Sequence, residues 1–255
     1  MPPRFFCAGL PAATLSDADA PNASAERFCT LGPDETRHAR KVLRLSAGQA
    51  IELFDGHGKL ADAQIVEYVR GGGADDATIC QLHGVREVAP SRPRLTVASA
   101  VPKGPRAEAM VNQLGQLGAD VFVPVVSERG VVEPGAGKVG RYEKAALASA
   151  KQSGRPWMMR VEPSATLAQV CGRRFDVGLV LDPRGAAQPG LAERLAAAED
   201  VVVLIGPEGG WTPGELEAAE AAGLVRWRMA EHVLRIETAA TAAVGIVRYL
   251  GSAAE

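Results

Sequence analysis

The rhythm of apolar and polar positions changes part-way along the chain. Up to residue 88 the apolar stretches are short and broken: RFF (4–6), AIELFDG (50–56), KLADAQIVEYV (59–69) and TICQLHGV (78–85). DG, GGG and other turn signals separate them at the spacing of a barrel-like, mostly β domain. One amphipathic helix, beginning near Pro33, interrupts the strands, and the small, polar segment 11–25 reads as a surface loop. APSRPR (89–94) reads as a linker, because its prolines and basic residues cannot extend a strand core. From Leu95 the pattern becomes strand–helix alternation. The runs LTVASAV (95–101), VFVPVV (121–126), VGLVLD (177–182), VVVLIG (201–206) and VRWRMA (225–230) alternate with helical stretches. Continuous apolar runs of this kind predict a parallel sheet covered by helices on both faces. Such sheets bind ligands in loops beyond the carboxyl ends of their strands.

One such loop is unusual. LIGPEGGWTPGE (204–215) follows a buried run and holds a single carboxylate, Glu208, among glycines and prolines. Thr212 suits an N-cap, Pro213 the first helical position, and Glu215 completes a T-x-x-E capping box. The glycines let backbone approach a ligand closely or take positive φ. This loop carries neither GK[ST] nor the GxGxxG spacing, which argues against a nucleoside triphosphate and against a dinucleotide bound here. A plain strand-to-helix connection would also use glycine, but a charge held among rigid residues at a strand end favours a ligand site.

Further on, MAEHVLRIETAATAAVGIVRYL (229–250) leads from the last apolar run through an irregular piece into a helix starting near Glu237. Ala239, Ala240, Ala242, Ala243 and Gly245 keep that helix slim on several faces. It can cover the sheet, or pack closely at a subunit interface. Arg235 and Glu237, two residues apart just before it, can reach a common site or form a structural ion pair.

Composition adds limits. The chain has 255 residues, 47% of them apolar, and a net charge of −2, so overall charge gives no reason to expect nucleic acid. A local patch does: RHARKVLR (37–44) carries four basic residues and a histidine with no acid. Read as an α-helix, it places Arg37, Arg40, Lys41 and Arg44 on one stripe, with Val42, Leu43 and Leu45 facing elsewhere. The four cysteines are scattered without CxxC spacing, which predicts neither disulfide nor zinc site and points to a reducing, cytoplasmic location. MPPRFFCAGL is too short and too weakly apolar for a signal peptide, and no run approaches membrane-spanning length.

IGPEGG with its capped helix, followed by LRIETA opening a small-residue helix, resembles the SPOUT class of RNA methyltransferases. Within that class the chain resembles the RsmE family, which methylates N3 of a uridine in 16S rRNA. The likeness extends over nearly the whole length, through MPPRFF, HARKVLRLSAGQAIELFDG (38–56), VPKGPRAEAMVNQLGQLGADVFVPVVSERGVV (101–132) and AKQSGR (150–155). It departs from the family pattern at Gln116, where glutamate is usual, at Ala230–Glu231 in place of Gly-Pro, at His232 for arginine and at Ile236 for threonine.

The resemblance implies an α/β SPOUT domain over 95–255, its chain end tucked into a deep trefoil knot, after a small PUA-like β-barrel over 1–88 that helps hold RNA. It implies S-adenosylmethionine as methyl donor, a homodimer with sites at the interface, the small ribosomal subunit as partner, and neither metal nor membrane. The cofactor would contact Leu181, Ile205, Gly206, Pro207, Glu208, Gly209, Gly210, Met229, Val233 and Leu234, largely through backbone. The imide nitrogen of uracil becomes nucleophilic only once its proton leaves, so a cation near the pyrimidine oxygens and an acceptor for the proton are needed. Arg235 and Arg129 are the candidate cations, and Glu237 and Glu208 the candidate bases or orienting groups. Glu208 can equally hold the cofactor ammonium or brace its loop. Arg4, Arg37, Arg40, Lys41, Arg44, Lys103 and Arg106 are the candidate RNA contacts. A SPOUT enzyme acting on another RNA site and a non-catalytic RNA-binding assembly factor stay open beside this reading.

Overall fold

The structure, a computed structural model, describes residues 2–12, 27–71, 76–131 and 135–252. From residue 13 on, the loop expected over 11–25 lies outside the described residues. The chain divides into two compact units, residues 1–90 with 154–157, and residues 91–153 with 158–255. No helix among the described residues is long and apolar enough to cross a membrane.

In the first unit, β1 (Arg4–Phe6), β2 (Arg27–Leu31), β3 (Ala50–Phe54), β4 (Lys59–Val69) and β5 (Ala77–Glu87) form a half-barrel sheet ordered β1-β3-β4-β5-β2. Alternate positions face inward: Ile51 and Leu53, Ala61, Ala63 and Ile65, Cys80 and Leu82 pack with Phe5 and Leu31. The DG turn works as read. Asp55 Oδ1 accepts from the amides of His57 at 2.7 Å and Lys59 at 3.0 Å, closing the β3–β4 hairpin.

The basic run needs correction. α1 (Pro33–Arg37) starts at the predicted proline, but His38–Val42 is a π-helical turn. The Leu43 amide reaches back to the His38 carbonyl at 3.0 Å and the Leu45 amide to that of Ala39 at 2.9 Å. Wider winding breaks the i, i+3, i+4, i+7 alignment, and Arg44 lies beyond the helix at φ 54°. Arg37 pairs with Asp34, and Arg40 lies over the Tyr68 ring at 5.8 Å.

The second unit is the α/β layer. In chain order it comprises β6 (Arg94–Ser99), α2 (Arg106–Leu117), β7 (Val121–Val126), α3 (Ala136–Ser153), β8 (Arg160–Val161), β9 (Ala165–Thr166) and α4 (Leu167–Cys171). There follow β10 (Val177–Ala186), α5 (Leu191–Ala197), β11 (Asp200–Ile205), α6 (Pro213–Ala221), β12 (Val225–Trp227) and α7 (Ile236–Ser252). The main sheet is ordered β12-β10-β11-β6-β7-β8 with every pairing parallel, and β9 adds to β7.

Both faces are buried, as the continuous apolar runs require. Val201, Val203 and Ile205 face α2, α3, α5 and α7, while Val202 and Leu204 face α4 and α6. Two strand ends differ from the sequence reading. β10 runs on past Asp182 to Ala186, because Ala186 accepts from the Arg228 amide at 2.9 Å; β12 stops at Trp227.

Arg248 fastens α7 to this layer. Its guanidinium donates to the carbonyls of Gly118 (Nε, 3.0 Å) and Pro93 (Nη1, 2.6 Å) and pairs with Asp120, whose Oδ2 also accepts from the Leu95 amide at 2.8 Å. Both charged side chains are largely buried. Arg248→Met should lower unfolding free energy by about 2–3 kcal/mol in urea titrations, since it takes the donor from two carbonyls and the cation from a largely buried carboxylate. Asp120→Asn should cost less, because the two carbonyl contacts survive.

Candidate active site

The strand order decides where the site lies. β10 sits between β11 and β12, and all three run the same way, so their carboxyl ends emerge side by side. Residues 182–184, where the pairing of β10 with β12 is interrupted, 206–211, 228–230 and 232–234 therefore converge and line a cavity of about 430 Å³. That volume falls in the roughly 300–1,000 Å³ range of small-molecule sites. Arg129, from the loop after β7, and Ile236 and Ala239 of α7 complete the wall. Leu181, Ile205, Trp227, Met229, Val233 and Leu234 make it mainly apolar, with Glu208, Arg129, Arg184 and Arg228 adding charge.

The glycine-rich turn owes its shape to specific contacts. A Cβ on Gly206 would lie 2.9 Å from the Trp211 indole, so only glycine lets that ring pack beneath the strand end. Gly210 takes φ +69° and donates to the Pro207 carbonyl at 2.8 Å, closing the turn. The capping box forms as read: the Glu215 amide donates to Thr212 Oγ1 at 3.3 Å, and the Thr212 amide donates to Glu215 Oε2 at 2.8 Å. Glu215 does more than cap, since its Oε1 accepts from the Glu128 amide at 2.9 Å. One buried carboxylate thus joins the loops after β7 and β11. Arg129 reinforces the junction by donating to the Gly209 carbonyl at 3.1 Å.

Known proteins share this architecture. Residues 89–248 match the family described as RNA methyltransferase domain, and residues 31–67 match the RNA methyltransferase PUA domain. The ribosomal RNA small subunit methyltransferase E of Mycobacterium bovis is 33% identical over 230 residues, spanning 86% of this chain and 85% of the relative. The chain belongs to the RsmE family of RNA methyltransferases. Its Synechocystis relative of the same name is 29% identical over 242 residues, spanning 91% of this chain and 76% of the relative. In fold it matches a crystal structure of ribosomal RNA small subunit methyltransferase E from Neisseria gonorrhoeae bound to S-adenosyl methionine. The TM-score is 0.82, with 24% identity and 98% of each chain covered.

In this RsmE-family chain the ten residues read from sequence as cofactor contacts, Leu181, Ile205 to Gly210, Met229, Val233 and Leu234, all line the one cavity. Glu208 and Arg129 line it too. Arg235 and Glu237 do not: Arg235 is exposed ahead of α7, and Glu237 lies in the first turn of α7 against Arg106. Of the proposed RNA contacts, Arg4 lies inside the first unit, pairing with Glu52 and donating to the Gly154 carbonyl. Arg37, Arg40 and Lys41 line a groove with Asp34 and Asp76, Lys103 is exposed, and Arg106 is bound between two carboxylates.

Sequence reasoning missed Asp182 and Trp227 in the cavity wall, although a charged residue directly at the end of VGLVLD was a usable signal. Asp182 is buried, and burial alone would raise its pKa. The Arg184 amide at 3.0 Å, the Arg226 guanidinium at 2.7 and 3.1 Å, and the charges of both arginines outweigh that and hold the carboxyl below its ordinary value. Its folded pKa therefore lies under the unfolded one. The stabilisation is present above about pH 4 and is lost as pH falls through the lower folded value. Asp182→Asn should flatten the acid limb of a urea-midpoint profile below about pH 4. An unchanged limb would contradict this account of the β10–β12 junction.

Proposed function

We propose that this chain transfers the methyl group of S-adenosylmethionine to N3 of a specific uridine in the 16S rRNA of the small ribosomal subunit. The observation that carries the reading is the three-loop cavity. Its walls are apolar, its loops offer backbone donors and acceptors, and its charges are of both signs, with no lysine-bearing phosphate cradle. That set suits a neutral adenosine joined to a zwitterionic tail. Membership of the RsmE family and a fold neighbour crystallised with S-adenosyl methionine bound support it. When bound, S-adenosylmethionine supplies an electrophilic methyl on sulfonium.

The protein's part is to hold the uracil in line and favour its anion. Leu181, Ile205, Met229, Val233 and Leu234 would enclose the adenosine, and the 206–210 backbone would fix its polar atoms. Arg129, steadied on the Gly209 carbonyl, is a cation for a pyrimidine oxygen carrying developing charge. Arg235 is the second, free in its exposed position to meet RNA or a partner subunit. Glu208, on the cavity wall, is the acceptor for the imide proton, and Glu237, outside it, is an orienting group. Residues 1–88 would hold RNA, with Arg37, Arg40 and Lys41 along one groove, and 95–255 would carry catalysis. The family resemblance supports a knotted chain end and a homodimer, and the slim α7 is compatible with close packing.

Purified chain, S-adenosylmethionine bearing a labelled methyl, and small subunits from a strain lacking the gene should yield labelled N3-methyluridine on nucleoside analysis. Labelled 2′-O-methylnucleoside would move the activity to a ribose. No transfer together with no calorimetric heat from S-adenosylmethionine would leave an RNA-binding factor instead.

A further inference from the structure

We infer that Arg106 is a positioning residue of the methyl-transfer site, holding Glu208 of the glycine-rich turn and Glu237 of α7 on one guanidinium; this rests on the functional reading above. Arg106 Nη1 donates to Glu237 Oε1 at 3.2 Å, and Nη2 lies 3.6 Å from Glu208 Oε1. The two carboxylates come from separate elements, the turn after β11 and the first turn of α7, and only Arg106 pairs with both among the described residues. It does not line the cavity, and of its two partners only Glu208 does, so it acts on the site through that carboxylate, with Glu237 anchoring the guanidinium to α7.

Helix stability does not explain this arginine. Arg106 is the first residue of α2, which has no side-chain cap, and a cation there opposes the positive end of the helix dipole. A position that breaks a local rule while making two long-range ion pairs is characteristic of a functional site. A phosphate contact does not explain it either. Its guanidinium is already shared between two carboxylates, which compete with any phosphate for it. Glu237 gains a defined geometry from the pairing. Its Oε1 is held by Arg106, while Oε2 is buried without a hydrogen-bond partner among the described residues, so Arg106 supplies its side-chain hydrogen bond. Removal of Arg106 sets Glu208 and Glu237 against each other by charge and frees the turn from α7.

The test is a mutant cycle on Arg106→Gln, the Glu208→Gln/Glu237→Gln pair and their combination, at saturating RNA and S-adenosylmethionine. Arg106→Gln should lower kcat about a hundredfold, the scale expected of a misplaced reacting group. In the double-glutamine background the same change should cost less than about twofold, because its partners are gone. RNA affinity and its salt dependence should stay at wild-type values. Overturning results are additive losses, or an unchanged kcat with the log–log salt slope of RNA binding reduced by about 1, the mark of a lost phosphate contact. Should wild type transfer no methyl, the functional reading fails by itself, and hydrogen exchange decides the clasp. Arg106→Gln should deprotect amides 208–210 and 237–240 together while β7 stays protected. Unchanged protection there would overturn the inference.

Discussion

The parallel placement of β10 between β11 and β12 is the constraint on which the site depends. Parallel neighbours must end on the same edge, so the irregular end of β10 and the loops after β11 and β12 are delivered to one place without long excursions. Continuous burial on both faces locks the register, since a one-residue slip would move Val201, Val203 and Ile205 to the wrong helix layer. The cavity is therefore a consequence of sheet order, and the loops need only be held in shape.

Carboxylates do much of that holding. Glu215 satisfies amides at Thr212 and Glu128 and so joins two loops. Asp182 takes the Arg184 amide and the Arg226 guanidinium and fixes the end of β10 to β12. Glu208 and Glu237 meet on Arg106. Each works at short range between groups that other packing already brings near, which limits the entropy lost in making the contact. Glycine complements them at Gly206, where the Trp211 ring occupies the space a side chain would need.

Much of this was legible in the sequence. β6, β7, β10 and β11 announce themselves as apolar runs, the two-residue β8 and β9 do not, and TPGE carries its capping box openly. The cavity loops were legible because they follow directly on those strands. β2 was not, since Arg27–Leu31 is short and finds its partner β5 far along the chain, Cys29 opposite Cys80. The stripe in RHARKVLR failed because α-helical spacing was assumed where hydrogen bonds to His38 and Ala39 widen the turn. Arg106 with Glu237, and Asp182 with Arg226, are pairings across long sequence separations. Local sequence hints at Asp182, a charge at the end of an apolar run, but names neither partner.

The most direct test of the central claim is amide chemical-shift mapping during titration with S-adenosylmethionine. The account predicts large shifts confined to residues 181–184, 205–211 and 229–234, with the strands of the first unit unmoved. Shifts centred in that first unit, or none at saturating ligand, would contradict the claim that the three strand ends build the methyl-donor pocket.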